Sequence, residues 1–215
     1  MPENVKNRRR YTSSRRREQA EETRRRILDA AQDLFLTHGY TAATIESIAN
    51  DAQVAAQTVY AGFGNKRGVL FAVLERAIGG DDQPIGMLER PDPVRMRAEP
   101  DQRRQLEMMA RGIRTIMERA GPVFTVVRAA AVTDPEIAAR YERLQEERLR
   151  NMTKVLEWVR ERGPLREGLT IYQGADILWT LTSADIHSLL TSERGWPGDQ
   201  YERWLADTLV ASLLP

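Results

Sequence analysis

Apolar residues recur at intervals of three and four along most of this chain, which is the spacing of one face of an α-helix. Residues 18–38 place Ile27, Ala31 and Phe35 on one such face, and Gly39 follows as a C-terminal stop. Alternation of apolar and polar residues, the strand pattern, does not occur. The periodicity therefore predicts an all-α protein.

Three shorter helices are predicted after Gly39. Thr44 suits the N-cap of a helix that contains Ile45 and Ile48. Val59 is the inward residue of the next helix, and Asn65 caps a fourth that carries a continuous apolar stripe. Two short helices joined by a tight turn are typical of a helix-turn-helix.

The rest of the chain predicts a larger helical bundle. A connector over residues 79–100 contains four prolines and one expected helical turn near residues 94–97. Helices are predicted at 101–119, 122–132, 135–161, 171–193 and 198–213. The breakers between them are Gly121-Pro122, Asp134-Pro135, Gly163-Pro164, Gly168 and Gly195-Trp196-Pro197. We therefore predict three parts: a disordered arm (1–16), a three-helix helix-turn-helix domain (17–66), and a larger C-terminal helical domain (67–215).

Composition narrows the class of protein. With 41% hydrophobic and 29% charged residues among 215, the chain is typical of a globular protein. It has no cysteine, which excludes disulfides and thiolate metal sites. No apolar run approaches the ~20 residues of a membrane span, and no apolar segment follows the basic N-terminus as in a secretory signal. A cytoplasmic protein that makes no membrane contact is expected.

Charge is distributed unevenly. Residues 1–26 hold ten basic and four acidic side chains, a net charge of +6, so the remaining residues carry −5 of the total +1. A basic arm on an acidic body suggests a polyanionic partner. The alternatives are a solubilising tail or contact with an anionic membrane. The basic residues of this N-terminal region assigned to DNA are Arg8, Arg9, Arg10, Arg15, Arg16 and Arg17.

The helix around Val59 carries almost no bulk on its outward side. Such a helix can enter a major groove about 12 Å wide. We assign base reading to Ala55, Ala56, Gln57 and Thr58, and phosphate contacts to Thr44, Tyr60 and Lys66. The alternative is a compact helical corner that is rich in alanine because alanine favours helices.

These residues carry a family resemblance. The segment "ILDAAQDLFLTHGYTAATIESIANDAQVAAQTVYAGFGNKRGVLFAVL", within residues 23–74, resembles the DNA-binding domain of TetR-family transcriptional regulators. The resemblance implies an all-α homodimer that binds a double-stranded, pseudo-palindromic operator, and a C-terminal domain with an effector pocket. The C-terminal segment from Arg162 onward is similar to the C-terminal domains of actinobacterial members.

The chain departs from the family pattern at two positions. Gln53 stands where the turn usually has glycine, so a non-glycine residue is expected to adopt positive φ at a cost of about 1 kcal/mol. Ala55 stands where the next helix usually opens with serine or threonine, so that helix is expected to lack a side-chain cap.

Two further sets of residues belong to the C-terminal domain. Methionine and aromatic side chains suit an adaptable pocket for a small, largely apolar, aromatic or cationic effector, although they are also common core residues. This set is Met108, Met109, Ile113, Met117, Phe124, Met152, Trp158 and Trp179. The dimer interface favoured by the resemblance, with a monomer core as the alternative, is assigned to Leu178, Leu181, Ile186, Leu189, Trp204, Leu205 and Leu209.

No pattern of catalytic residues accompanies these sets. His38 and His187 are the only imidazoles, and neither belongs to a metal-binding or Ser-His-Asp pattern. We expect no enzyme, metal or cofactor. The leading prediction is a repressor released from its operator by a small-molecule effector and associated with the nucleoid when bound. The alternatives are an activator or architectural protein without effector, and an all-α carrier or enzyme.

Overall fold

The computed structural model describes the backbone of residues 3–215 and the side chains of residues 17–215. The described backbone is helical and contains no strand. It divides into two compact units, Met1–Arg76 and Ala77–Pro215. The predicted boundary after residue 66 lies ten residues before the end of the first unit.

The first unit is built from helices α1 (Glu3–Ala42), α2 (Ile45–Asp51), α3 (Ala56–Phe63) and most of α4 (Lys66–Gly79). Helices α1 and α3 both pack against α2. Gly39 leaves the helical conformation with φ 77°, as expected of a stop residue. The predicted disordered arm, residues 1–16, has a helical backbone from Glu3 onward as the first part of α1, and its side chains lie outside the described residues.

The core of the first unit forms as the periodicity predicts. Ile27, Phe35, Ile48 and Val59 are almost fully buried. The predicted cap of α4 is also present, because the Asn65 side chain accepts a hydrogen bond from the Gly68 backbone N–H at 2.9 Å. Helical spacing and cap chemistry are therefore sufficient to predict this unit.

The second unit contains the remaining helices. A 3₁₀ turn over Met87–Glu89 comes first, and a π-helical turn over Leu189–Glu193 lies near the end. The helices are α5 (Pro91–Ala98), α6 (Gln102–Ala131), α7 (Pro135–Arg160), α8 (Ile171–Leu181), α9 (Ala184–Ser188) and α10 (Gly198–Leu213). Helix α6 packs against α7 and α10, and α8 packs against α7 and α10. The predicted bounds of α7 and α10 agree with these to within one residue.

The break predicted at Gly121-Pro122 was wrong, because α6 continues through Pro122. A proline removes one backbone hydrogen bond from a helix interior. Here Ala120, Val123 and Phe124 are buried on both sides of it, and this packing holds the helix together across the missing bond.

The single helix predicted over 171–193 was also wrong, because the chain breaks at Thr182-Ser183. The Thr182 hydroxyl donates to the Leu178 carbonyl at 2.7 Å. The Ser183 hydroxyl accepts from the Ile186 N–H and so begins a new helix. Hydroxyl side chains that bond to nearby backbone in this way compete with helix continuation.

Among the described residues, no helix is both long and apolar enough to cross a membrane. The same residues contain no cluster of three or more histidine, cysteine, aspartate or glutamate side chains with the geometry of a metal site.

The turn between α2 and α3 carries the predicted strain. Gln53 has φ 54°, and among the described residues it is the one non-glycine position with positive φ. Its N–H donates to the Asn50 carbonyl at 3.0 Å, and the Val54 N–H donates to the Ala49 carbonyl at 2.9 Å. The closed turn therefore holds Gln53 in the left-handed region.

We expect Gln53→Gly to raise the free energy of unfolding by about 1 kcal/mol, because glycine adopts positive φ without a Cβ clash. Urea denaturation followed by circular dichroism measures the change. The matched control, Gln53→Ala, removes the same side chain but keeps the Cβ, and it should show no gain. A glycine variant no more stable than the alanine variant would contradict the strain.

Candidate nucleic-acid interface

Helix α3 exposes mainly small and polar side chains to solvent. Its inward residue, Val59, is fully buried, whereas Gln57 and Thr58 are exposed. Ala55 is exposed and Ala56 half-buried. The outward side of this helix therefore offers an amide, a hydroxyl and methyl groups with no large aliphatic side chain to hold another surface away.

The start of α3 has no side-chain cap. Ala55 occupies the N-cap position and makes no side-chain hydrogen bond, as expected. The first turn is closed by the backbone instead, through the Thr58 N–H and the Ala55 carbonyl at 2.8 Å. Unpaired N–H groups at a helix start favour an anion.

The hydroxyl groups assigned to phosphates lie at the surface. The Thr44 side chain accepts from the Ser47 N–H at 3.0 Å, while Ser47 Oγ accepts from the Thr44 N–H at 3.0 Å. This reciprocal capping box leaves the exposed Thr44 hydroxyl proton available to a further acceptor. Tyr60 is 45% exposed near the end of α3.

The Lys66 ammonium makes several contacts within the first unit. Its ammonium donates to the carbonyls of Tyr40 at 2.8 Å and Ala43 at 2.9 Å, and more weakly to Thr41 at 3.4 Å. It also lies 4.2 Å from the centre of the Tyr40 ring. Because an ammonium has three donors, these contacts compete with the predicted phosphate contact, which stays a prediction.

Of the six N-terminal arginines assigned to DNA, Arg17 has a described side chain, which is exposed on α1. The others, Arg8, Arg9, Arg10, Arg15 and Arg16, have side chains outside the described residues, so their DNA contacts stay predictions. Further along α1, the Arg24 guanidinium stacks over the Phe63 ring at 4.7 Å. This contact between α1 and α3 carries no periodic signal, and the sequence reasoning missed it.

The predicted effector residues lie in or against the core of the second unit. Six are buried, while Met108 and Trp179 are half-buried. An open cleft of about 410 Å³ in this unit is formed elsewhere, between the end of the α7–α8 loop and the first turns of α8. None of the predicted residues lines it, and their shared pocket stays a prediction. The cleft is lined by Arg166, Glu167, Gly168, Leu169, Gln173, Asp176 and Ile177.

The residues assigned to a dimer interface fall into two groups. Leu178, Leu205 and Leu209 are fully buried within this chain, so they offer no surface to a second copy and are corrected to core residues. Leu181, Ile186 and Trp204 are half-buried, and Leu189 is 47% exposed. The apolar stripe of a helix does not show which of its members face the chain's own core.

Comparison with known proteins agrees with this architecture. Residues 27–73 match the model of bacterial regulatory proteins of the tetR family. The regulator SrpR of Pseudomonas putida is 48% identical over 56 residues, which cover 26% of each chain. The repressor BepR of Brucella suis biovar 1 is 26% identical over 201 residues, covering 91% of this chain and 93% of BepR.

A solved structure has the same fold. The structure of a protein from Saccharomonospora viridis in complex with choline aligns with a TM-score of 0.66 and 21% identity, over 90% of this chain and 98% of that one. The matched segment spans about a quarter of the length of the first curated relatives. Together with the helix-turn-helix geometry, these findings show that residues 27–73 match the DNA-binding part of the tetR family, and that the remaining chain is similar in sequence or fold to these relatives along most of its length.

The contacts of Lys66 give a test of its role. We expect Lys66→Ala to lower the free energy of unfolding by about 1–3 kcal/mol, because carbonyls at the end of α1 lose their charged donor. Thermal and urea denaturation measure the loss. The control is Lys154→Ala, which removes an exposed ammonium whose contact is with Glu157 on the same helix. Equal stability of Lys66→Ala and the wild type would show that the contacts contribute little.

Proposed function

We propose that this protein is a transcriptional regulator that binds a specific DNA sequence through α3, represses the genes beside it, and is released by a small-molecule effector. The observation that carries the proposal is the surface of α3. Its inward residue, Val59, is fully buried, while its outward side exposes Gln57 and Thr58 and no large aliphatic side chain. A helix held in this way can lie in the major groove with its polar groups against base edges.

The DNA contacts divide into two kinds under this proposal. Gln57 and Thr58 read base edges, and the methyl groups of Ala55 and Ala56 approach thymine methyls. The hydroxyls of Thr44 and Tyr60 donate to phosphates and fix the register of α3. The basic arm adds contacts that do not depend on sequence, since arginines on a polyanion release counterions.

A homodimer and an effector complete the proposal. Two copies would read two half-sites of a pseudo-palindromic operator in the cytoplasm. Effector binding would favour a separation of the two α3 helices that no longer fits successive major grooves. The similarity of this chain to the repressor BepR, over 91% of this chain, supports the proposed repression. The complex with choline is a structure of a protein of this fold that holds a small molecule.

The experiment that tests the proposal is selection of bound duplexes from a random pool, followed by affinity measurements against salt for the selected and a scrambled duplex. Specific binding far above the scrambled duplex supports a sequence-specific regulator. Equal affinity for both duplexes would contradict it and favour an architectural protein.

We expect Gln57→Ala to relax preference at one base position and to cost about 1–3 kcal/mol there. An amide that bonds a base edge discriminates against other bases, whereas a phosphate contact does not. Affinities for all four bases at each operator position measure this. Tyr60→Phe is the matched comparison, and it should weaken binding to every duplex equally. If Gln57→Ala instead lowered the affinity for every duplex equally, Gln57 would contact a phosphate rather than a base.

The dimer is tested with a variant that leaves the chain's own core intact. We expect the wild type to sediment as a dimer and Leu189→Arg to weaken it about tenfold or more, because the exposed leucine becomes a charge in an apolar interface. Analytical ultracentrifugation measures both. The control is Val132→Arg, at a position that is 84% exposed after α6. A monomeric wild type at micromolar concentration would overturn the dimer.

A further inference from the structure

Arg24 of α1 lies against the end of α3. Its guanidinium carbon is 4.7 Å from the centre of the Phe63 ring, and Phe63 is the last residue of α3. Both side chains are half-buried. An arginine that stacks its planar group on an aromatic ring keeps the N–H donors at the edge of that plane. The contact therefore fixes a cation beside the helix that carries Gln57 and Thr58.

The Arg24 guanidinium has no acceptor within the part of the chain that the structure describes. It forms neither a salt bridge nor a hydrogen bond there, and stacking on Phe63 is its one polar or ring contact. A guanidinium has five N–H donors. Their fork matches the paired oxygens of a phosphate, so Arg24 offers donors to an anion outside the chain.

The place of Phe63 on α3 puts this cation at the flank of the proposed base-reading side. At 3.6 residues per turn, Tyr60 lies between Phe63 and Gln57 around the axis of α3, about 60° from each. Gln57 and Tyr60 are both exposed. A helix in the major groove has a phosphate backbone along each flank, so a cation beyond Tyr60 would meet phosphate oxygens rather than base edges.

Arg17 lies on the same side of α1 as Arg24. The two are seven residues apart, which is about 20° of arc and about 10 Å along the helix axis. Arg17 is exposed. The backbone of α1 is helical from Glu3 onward, and its register places positions 10 and 6, an arginine and a lysine, within about 40° of Arg24. Basic residues therefore recur along one side of α1.

The acidic residues of this part of α1 lie away from that side. Glu18 and Glu22 are more than about 100° of arc from Arg24, and Glu21 is about 60° from it. All three are exposed, and none pairs with Arg24. The positive charge on the side of α1 that holds Arg17 and Arg24 is therefore not neutralised by the helix itself.

We propose that Arg17 and Arg24 form a phosphate-binding edge on α1, which holds the backbone of double-stranded DNA beside the major groove that receives α3. The edge continues as a rigid helix toward positions 10 and 6. The inference rests on the proposed function for DNA as the partner. It differs from the disordered arm predicted from the sequence, because cations on a helix keep a fixed spacing along the DNA.

The experiment measures the affinity of the full chain against salt, for the selected duplex and its single-base variants. Arg24→Ala is expected to weaken binding about tenfold, as for loss of a hydrogen bond to a charged group. The slope of log affinity against log salt should fall by about 0.9, the value for one phosphate contact. Because a phosphate contact carries no sequence information, the loss should be equal for all these duplexes. A loss that depends on the base would overturn the proposal.

The matched control is Arg25→Ala, at the next position of α1. Arg25 is exposed and lies about 100° around the helix from Arg24. Its substitution removes the same charge and should leave the salt slope unchanged and the affinity within about twofold, as for an exposed charge outside the interface. Equal losses in the two variants would show a general effect of net charge and would overturn the edge.

A second variant covers the case in which loss of the Phe63 contact unfolds the first unit. Arg17→Ala changes an exposed side chain, and it is expected to lower the salt slope by about 0.9 without changing the melting temperature. An unchanged slope in Arg17→Ala would overturn the edge. An Arg24→Ala protein with a lower melting temperature but the wild-type slope would show that Arg24 only packs on Phe63.

The rigidity of the edge has its own test. Ala20→Pro interrupts α1 between Arg17 and Arg24 without changing any charge, and Ala20→Ser is the control that keeps the helix. The proline variant is expected to lose the contribution of Arg17 and of the positions before it, so its slope should fall by about 0.9 or more. Equal slopes in the two variants would contradict the rigid helix.

Failure of the edge and failure of the proposed regulator are distinguishable. If the wild type binds every duplex with the same affinity, the sequence-specific regulator is overturned. The salt slopes of Arg24→Ala and Arg25→Ala on a scrambled duplex then still decide whether Arg24 contacts phosphate. If specific binding is found but the two slopes are equal, the edge alone is overturned.

Discussion

The ammonium of Lys66 connects the end of α1, the loop before α2 and the start of α4. It is bonded to carbonyls of Tyr40 and Ala43, so three segments share one charged donor. Helices of seven and eight residues, as α2 and α3 are, are too short to be stable in isolation. They are held by burial of Ile48 and Val59 and by this frame of longer helices. Because α3 is stabilised by residues on its inward side, the residues on its outward side are available to bind a partner.

The second unit shows a different balance between stability and function. Its helices bury continuous apolar faces, as Leu106, Leu156 and Leu178 illustrate. A core selected for stability alone would exclude charge and unpartnered donors. The half-buried Arg148 and the unpartnered buried atoms Gln105 Oε1, Trp158 Nε1 and Tyr201 Oη depart from that expectation at several places in the unit. Departures of this kind in an otherwise apolar interior are typical of functional sites.

Sequence reasoning succeeded where the cause was local. The N-cap role of Asn65, the stop at Gly39 and the positive φ of Gln53 follow from residue type and position within a turn. It failed where packing overrode a local preference. Pro122 lies inside α6 because the buried residues beside it retain the helix, and the apolar run after Ile171 breaks because Thr182 and Ser183 bond to the backbone.

The sequence by itself determined the all-α class, the helix-turn-helix and the small, polar outward side of α3. Helical periodicity and turn chemistry depend on residues close together in the chain, so they can be recognised from the sequence. Only the tertiary structure decided which apolar residues are core and which are surface, so that Leu205 is buried and Leu189 exposed. It also decided the roles of Lys66 and Arg148. Their long side chains reach partners 26 and 34 residues away in the chain, and no local pattern encodes a contact made across the fold.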